Sequence, residues 1–284
     1  MIYSILDAID GDESILHIHT HGHFDSLDLS DSTPGLADWP ITEITNMNTY
    51  GGYMPLPDTA TTAFADIVFD FGSTDAIVNC LSIAVHSLGT FGCTVGVYLD
   101  NDPAFPGSAL FEIEPDDDSP IMAVFPDQQY RYCRIRITYG PDKFQIGVLK
   151  IGQALVMQHR IYGGHSPTTL CRVTASRPLM SETGQFIGRA TIRHGFRGSY
   201  NWQHLEADWY REHFDPFVDL ARFDAFFVAW RPVSYPHEVI YCQTPPSSDI
   251  HPTNMGRRDL MEVTVPVEAH DWEAVVAISG APES

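Results

Sequence analysis

Basic residues are missing from the first 130 positions. The first Lys or Arg is Arg131, and twenty-one Asp and Glu precede it. From Arg131 onward sixteen acidic and sixteen basic residues cancel, so the formal charge of −21 belongs entirely to the first part. A surface this acidic repels a phosphate backbone and an anionic bilayer, which argues against nucleic acid and against a membrane surface as partners. No apolar run approaches the roughly 18 residues that a spanning helix needs, so no membrane span is expected. The stretch Met1 to Leu16 holds Asp7, Asp10, Asp12 and Glu13 without a positive charge, so no secretory leader is expected either.

Other absences concern chemistry. None of the five cysteines (Cys80, Cys93, Cys133, Cys171, Cys242) forms a CxxC pair, and the number is odd. Three of them sit in apolar runs and read as buried, reduced thiols, in keeping with assembly in a reducing cytoplasm. There is no GxSxG elbow, no P-loop and no GxGxxG. No internal repeat is visible. No long helical stretch interrupts the strands, which argues against parallel β-α-β units.

What is present is mostly strand. Residues 1 to about 60 are punctuated by Pro and Gly, with one strand expected near Ser14 to Thr20. Runs then follow at short spacing: 66–71, 77–86, 92–100, 121–125, 130–139 and 144–155. In the fifth, Tyr132, Arg134, Arg136 and Thr138 alternate with Cys133, Ile135 and Ile137, the period of a strand with one buried face. Gly and Pro clusters between the runs predict a β-sandwich. A second unit begins near Met157, with strands at 170–176 and 188–197 around a turn at Ser181-Glu-Thr-Gly184. Trp202, Leu205, Trp209, His213 and Phe214 fall near one helical face, which predicts a helix. Asp215-Pro216 reads as an N-cap and N1 pair opening a short second helix through Ala221. Strands return at 226–230, 239–241 and 260–267.

His17, His19, His21 and His23 alternate, so on a strand they would share one face, as metal ligands do, with Asp25 close behind. Thr20-His21-Gly-His23-Phe-Asp25 resembles the metal motif of metallo-β-lactamase-type hydrolases, and Gly164-His165-Ser166-Pro167 resembles a later ligand segment of that family. The resemblance implies a zinc hydrolase using His19, His21, His23, Asp25 and His165. The next motif position is Ser26 rather than His, and the expected sandwich is not that family's αββα arrangement. A structural metal ion at His17, His19, His21, His23 and Asp25 stays open, and no other cofactor is expected. Asp116-Asp117-Asp118 with Asp100, Asn101 and Asp102 supplies oxygen ligands for calcium, but at no EF-hand spacing.

Two further resemblances carry the main expectation. Leu81-Ser-Ile-Ala-Val-His86, Thr94-Val-Gly-Val-Tyr98, Tyr130-Arg-Tyr-Cys-Arg-Ile-Arg-Ile137 and Ile146-Gly-Val-Leu-Lys-Ile-Gly-Gln153 resemble a galactose-binding-like (discoidin-type) jelly roll. That resemblance implies sugar binding through loops at one end, with Tyr50, Tyr53, Asp100 and Asp102 as glycan-loop candidates. Ser181-Glu-Thr-Gly-Gln-Phe-Ile-Gly188, Asp224-Ala-Phe-Phe-Val-Ala-Trp-Arg-Pro and Met255-Gly-Arg-Arg-Asp-Leu-Met-Glu-Val resemble the C-terminal halves of bacteriophage distal tail and minor tail proteins. The usual distal tail order puts the ring barrel before the sandwich, and here the sandwich comes first.

The expected fold is all-β with one or two short helices. A jelly-roll sandwich with an irregular N-terminal arm occupies 1–155, and a ring-forming split β-barrel of tail-tube type with a flanking helix occupies 156–284. The expected function is structural: a non-catalytic virion protein of a tail tip or baseplate, assembled in the host cytoplasm. Its partners would be itself, in a ring of about six copies, the tail tube and baseplate hub proteins, and a host-surface glycan. Aromatic and Arg residues enriched in interfaces give Trp202, Trp209, Arg211, Phe214, Phe217, Arg222 and Trp230 as contact candidates, although more than half of the aromatics are expected to fill the barrel core. The alternatives are the zinc hydrolase and a stand-alone carbohydrate-binding module.

Overall fold

The computed structural model describes residues 1–18, 33, 35–45, 49, 51–55, 63–72, 74, 76–140, 143–161, 163, 168–246, 248–256 and 259–270. The strands, in chain order, begin with β1 (Ile2–Ser4), β2 (Ile15–His17), β3 (Ala63–Asp70), β4 (Ile77–His86) and β5 (Thr94–Asp100). Then come β6 (Phe111–Ile113), β7 (Ile121–Gln129), β8 (Tyr132–Tyr139), β9 (Ile146–Gly152) and β10 (Leu155–Val156). The rest are β11 (Arg172–Met180), β12 (Phe186–Glu206), β13 (Phe226–Ala229), β14 (Val239–Cys242), β15 (His251–Asn254) and β16 (Leu260–His270). Two short helices follow β12: α1 (Ala207–Trp209) and α2 (Asp215–Ala221), joined by a π-helical turn, Tyr210–Phe214.

The chain divides into two compact units. One comprises Met1–Met157 together with Phe226–Val239, the other Gln158–Ala225 with Ile240–Ser284. The stretch 226–239 therefore returns to the first unit, where β13 pairs antiparallel with β2. Sequence periodicity had no means of showing that return.

The first unit is a jelly-roll sandwich. One sheet runs β1-β7-β4-β9 and the other β3-β8-β5-β6. The alternation in β8 is realised: Cys133, Ile135, Ile137 and Tyr139 are buried, and Tyr132, Arg134, Arg136 and Thr138 face outward. The inward residues of both sheets, among them Ile67, Phe69, Leu81, Ile83, Val95, Val97, Phe125, Ile135 and Leu149, make one core. In β9 every residue is buried, and most of β4 is too, because their second face is also covered. There His17 of β2 reaches Ser82 of β4, and β2 itself lies between β10 and β13. A strand covered on both faces loses its alternation and reads as a continuous apolar run. Gly147 is required by close approach, since a Cβ there would come within 2.7 Å of the Val85 Cβ.

The second unit is built on a four-stranded antiparallel sheet, β11-β12-β16-β15. Gln243 also bridges to Glu268 of β16. No closed barrel is seen among the described strands. The helix expected from Trp202 starts later, at Ala207: Trp202 and Leu205 belong to β12. The pairing with β16 slips between Trp202 and Leu205, and His204 takes a left-handed φ of 63°. Such a bulge puts two residues three apart on the same side of a strand, which is why their spacing imitates a helix. Asp215 is not an N-cap, because it is itself helical and continues the turn before it.

Candidate binding surfaces

The histidine strand comes first. His17 is fully buried, and its Nδ1 lies 2.7 Å from the Ser82 Oγ. It thus belongs to the core of the first unit and not to a solvent-facing row of ligands. His19, His21, His23, Asp25 and His165 lie outside the described residues. Among the described residues no three His, Cys, Asp or Glu side chains gather as a metal site would require.

The glycan-loop candidates are separated. Tyr53 is fully buried, with its ring against Phe144 and its hydroxyl donating to the Thr33 carbonyl oxygen at 3.2 Å. It cannot line the mouth of a loop site, because the aromatic ring that sugar would stack on has no open face. Burial pushes its phenol well above the usual range. Tyr50 lies outside the described residues. Asp100 accepts from the Asp102 N–H at 3.0 Å, and Asp102 accepts from the Ala104 N–H at 2.9 Å. Both carboxylates therefore shape their own turn. Asp117 and Asp118 do similar work: Asp117 accepts from the Ser119 N–H, and Asp118 from the Thr90 N–H.

Most of the contact candidates fill cores. Trp202, Phe214 and Phe217 are fully buried and stack in series, Trp202 to Phe214 at 6.2 Å and Phe214 to Phe217 at 5.4 Å between ring centres. Trp230 is buried in the first unit, stacked on Tyr235 at 5.2 Å. These four are corrected from contact residues to packing residues. Trp209 is half-buried against His213, and Arg211 and Arg222 are exposed, each beside an aspartate one turn away. Arg222 also edges a cleft of about 110 Å³ with Ala221, Thr244, Pro245, Pro246 and Ile250, well below the roughly 300 Å³ usual for a small-molecule site.

Two surfaces remain, and neither was anticipated in full. The first is the ribbon of β11 and β12. From Arg172 to Ser199 no described side chain is buried, yet Val173, Leu179, Met180, Phe186, Ile187 and Ile192 are 43% to 71% exposed. The turn at its tip uses Gly184 at φ +80°. The sequence signal was only their strand pattern, which says nothing about what covers a strand.

The second is the outward face of β3-β8-β5. Arg131 grips Asp70 with two bonds, at 3.0 and 2.9 Å, and Arg136 grips Asp66 likewise, at 2.7 and 2.6 Å. The pairing lowers the Asp70 carboxyl below its ordinary range, through the Arg131 bonds first. Arg134, between these pairs, stacks at 4.2 Å over Tyr98 and at 4.7 Å over Phe105, while Arg136 stacks at 4.2 Å over Phe64.

Several solved structures show a likeness to this chain. A structure of the CBM32 of AlyQ in complex with 4,5-unsaturated mannuronic acid matches over 98% of its own length and 48% of this chain, at 17% identity and a TM-score of 0.36. A mutant of chitosan-binding module 1, derived from a chitosanase/glucanase of Paenibacillus sp. IK-5, matches over 100% of its length and 48% of this chain, at 10% identity and a TM-score of 0.37. Truncated AlyQ with CBM32 and alginate lyase domains is matched over 50% of its length and 67% of this chain, at 14% identity and a TM-score of 0.36. No family model matches, and no curated protein does. None of these three is named as a tail or baseplate protein. The jelly roll itself is read from the strand order and the core described above.

Proposed function

We propose that this chain is a non-catalytic structural subunit that assembles with copies of itself, as a component of a bacteriophage tail tip, and displays its sandwich toward host-surface glycan. The observation that carries this reading is the β11–β12 ribbon. A two-stranded ribbon is marginal in water on its own, and six large apolar side chains exposed along one exceed what a monomer ordinarily leaves uncovered. Such a surface is maintained for a partner. The partner is taken to be a second copy on grounds of charge. Residues 172–197 hold Arg172, Arg177, Arg189, Arg193 and Arg197 against Glu182 alone, whereas the first 130 residues hold twenty-one acids and no base. Ribbon on one copy and sandwich on the next are complementary, and a head-to-tail contact of that kind repeats until it closes into a ring.

The test is the solution mass of the purified chain by light scattering, beside a variant carrying Phe186→Asp and Ile192→Asp. The chain is expected to form a closed oligomer, about six copies by the ring reading. The variant is expected to be monomeric and to melt within about 0.5 kcal/mol of the parent, as exposed substitutions do. A parent that stays monomeric at high concentration would refute self-assembly and leave the stand-alone carbohydrate-binding module as the reading.

A further inference from the structure

Three arginines lie on or beside the outward face of β3-β8-β5, and two of them are neutralised: Arg131 by Asp70 and Arg136 by Asp66, each through two hydrogen bonds. Arg134 is treated differently. In register it stands opposite Val68 on one side and Tyr98 on the other, so neither neighbouring strand places a carboxylate directly opposite it. Its guanidinium is held between two rings, Tyr98 and Phe105. Its Nε is buried with no hydrogen-bond partner among the described residues. A charge taken partly out of water without an acceptor is costly, and a first half holding twenty-one acids had ample means to supply one. Burial, then the neighbouring Arg136, depress its guanidinium below the ordinary value, against Asp66 and Tyr98, which raise it.

The surroundings have the features of a saccharide platform. Arg136 stands opposite Gly96 on the β5 side, whose buried backbone is covered by the side chains of Tyr98 and the exposed Glu112. Phe64, 56% exposed, lies at the far end of the row beside Arg136. The row thus alternates ring and guanidinium: Phe105, Arg134, Tyr98, Arg136, Phe64. Successive outward positions on a strand are about 6.6 Å apart, so the row is long enough for several linked sugar rings. The fixed Asp66–Arg136 and Asp70–Arg131 pairs keep polar atoms in place for hydroxyl groups without conformational cost.

We infer that this face, where Arg131, Arg134 and Arg136 outnumber Asp66 and Asp70 within an otherwise acidic unit, binds an acidic saccharide, a uronate oligomer whose carboxylate takes the two terminal nitrogens of Arg134 while its rings lie along Tyr98 and Phe64. The fork of a guanidinium matches a carboxylate with two parallel bonds, which a lysine ammonium does not. The inference rests on the display of the sandwich in the proposed function, but not on the oligomer.

The experiment titrates the full chain by calorimetry with tetramers of galacturonate and mannuronate, and with the methyl ester of the galacturonate tetramer, which keeps the rings and removes the charge. Binding of an acid tetramer at least tenfold tighter than of the ester is expected. Arg134→Met should abolish that preference, and Arg134→Lys should restore it only in part. Both variants should keep the parent's melting temperature within a few degrees and the parent's solution mass. No binding of either tetramer, equal binding of acid and ester, or acid binding unchanged in Arg134→Met would each overturn the site. A changed mass in Arg134→Met would also overturn it, because the acceptor would then be a carboxylate of another copy. Loss of the oligomer through the ribbon variant, with tetramer binding intact, separates this inference from the fate of the assembly reading.

Discussion

His86 and Trp202 show how much depends on what surrounds a side chain. His86 is buried, with Nε2 donating to the Ser119 carbonyl oxygen at 2.8 Å and Nδ1 receiving the Leu88 N–H at 3.3 Å. That arrangement uses the neutral ring. Burial pushes its pKa down to about 4, against the bond to Ser119, which raises it. In the unfolded chain the ring titrates near 6.5, so on acidification the unfolded state takes up the proton first. Stability from this residue is therefore complete above pH 6.5 and is lost as pH falls from 6.5 toward 4, by about 3 kcal/mol in all. Urea midpoints at pH 7.5 and pH 4.5 should differ less in His86→Gln than in the parent, since glutamine keeps a donor for Ser119 and does not titrate. An undiminished difference would place the acid sensitivity elsewhere. Trp202 is fully buried against Tyr200 and Phe214. Trp202→Ala is expected to cost about 3–5 kcal/mol in chemical denaturation, the range for removing a large buried aromatic. A loss below 1 kcal/mol would return it to the surface. Aromatic and arginine enrichment pointed to a contact at Trp202, and the jelly-roll resemblance to a glycan loop at Tyr53, yet neither signal distinguishes an exposed surface from a core.

At the scale of elements, legibility followed the solvent. The strand β8 was plain in the sequence because one of its faces is wet and the other dry, and Ile77 to His86 was found with its full extent because apolar residues dominate it and polar ones enter only singly, at Asn79, Ser82 and His86. Helix α2 was located through Pro216, whose ring suits a first turn, although the helix before it runs on without a cap. Two kinds of element escaped. The three residues of β1 pair in parallel with β7, a contact between positions 120 apart that no local pattern encodes. The bulge at His204 shifted Leu205 onto the face of Trp202 and gave a strand the look of a helix. The ribbon was recognised as strand, but its exposure was not, because an apolar residue reads the same whether it meets its own core or a neighbour's surface. The Arg134 row was half legible: the alternation placed the arginines outward, while their unequal pairing depends on β3 and β5 and on the Phe105 loop folding beside them.

At the scale of the molecule, the segregation of charge decides the sign of a measurement. Twenty-one acids without a base in the first 130 residues make the sandwiches repel one another. A ribbon with four more basic than acidic residues reverses that repulsion locally when it meets a sandwich. Apolar association alone would strengthen as salt is added, because screening relieves the repulsion while burial is little affected. Contact between ribbon and sandwich should instead weaken, since the attraction between facing charges is screened over about 10 Å at 0.1 M salt and about 3 Å at 1 M. Raising sodium chloride from 0.05 to 0.5 M is therefore expected to raise the dissociation constant of the assembly roughly tenfold or more, followed by light scattering across a dilution series. The substitutions Arg177→Gln and Arg189→Gln should flatten that dependence while leaving the apolar side chains in place. If salt tightened the assembly, the ribbons would be packing on one another through Phe186, Ile187 and Ile192, and the sandwiches would face outward from the joint rather than form half of it.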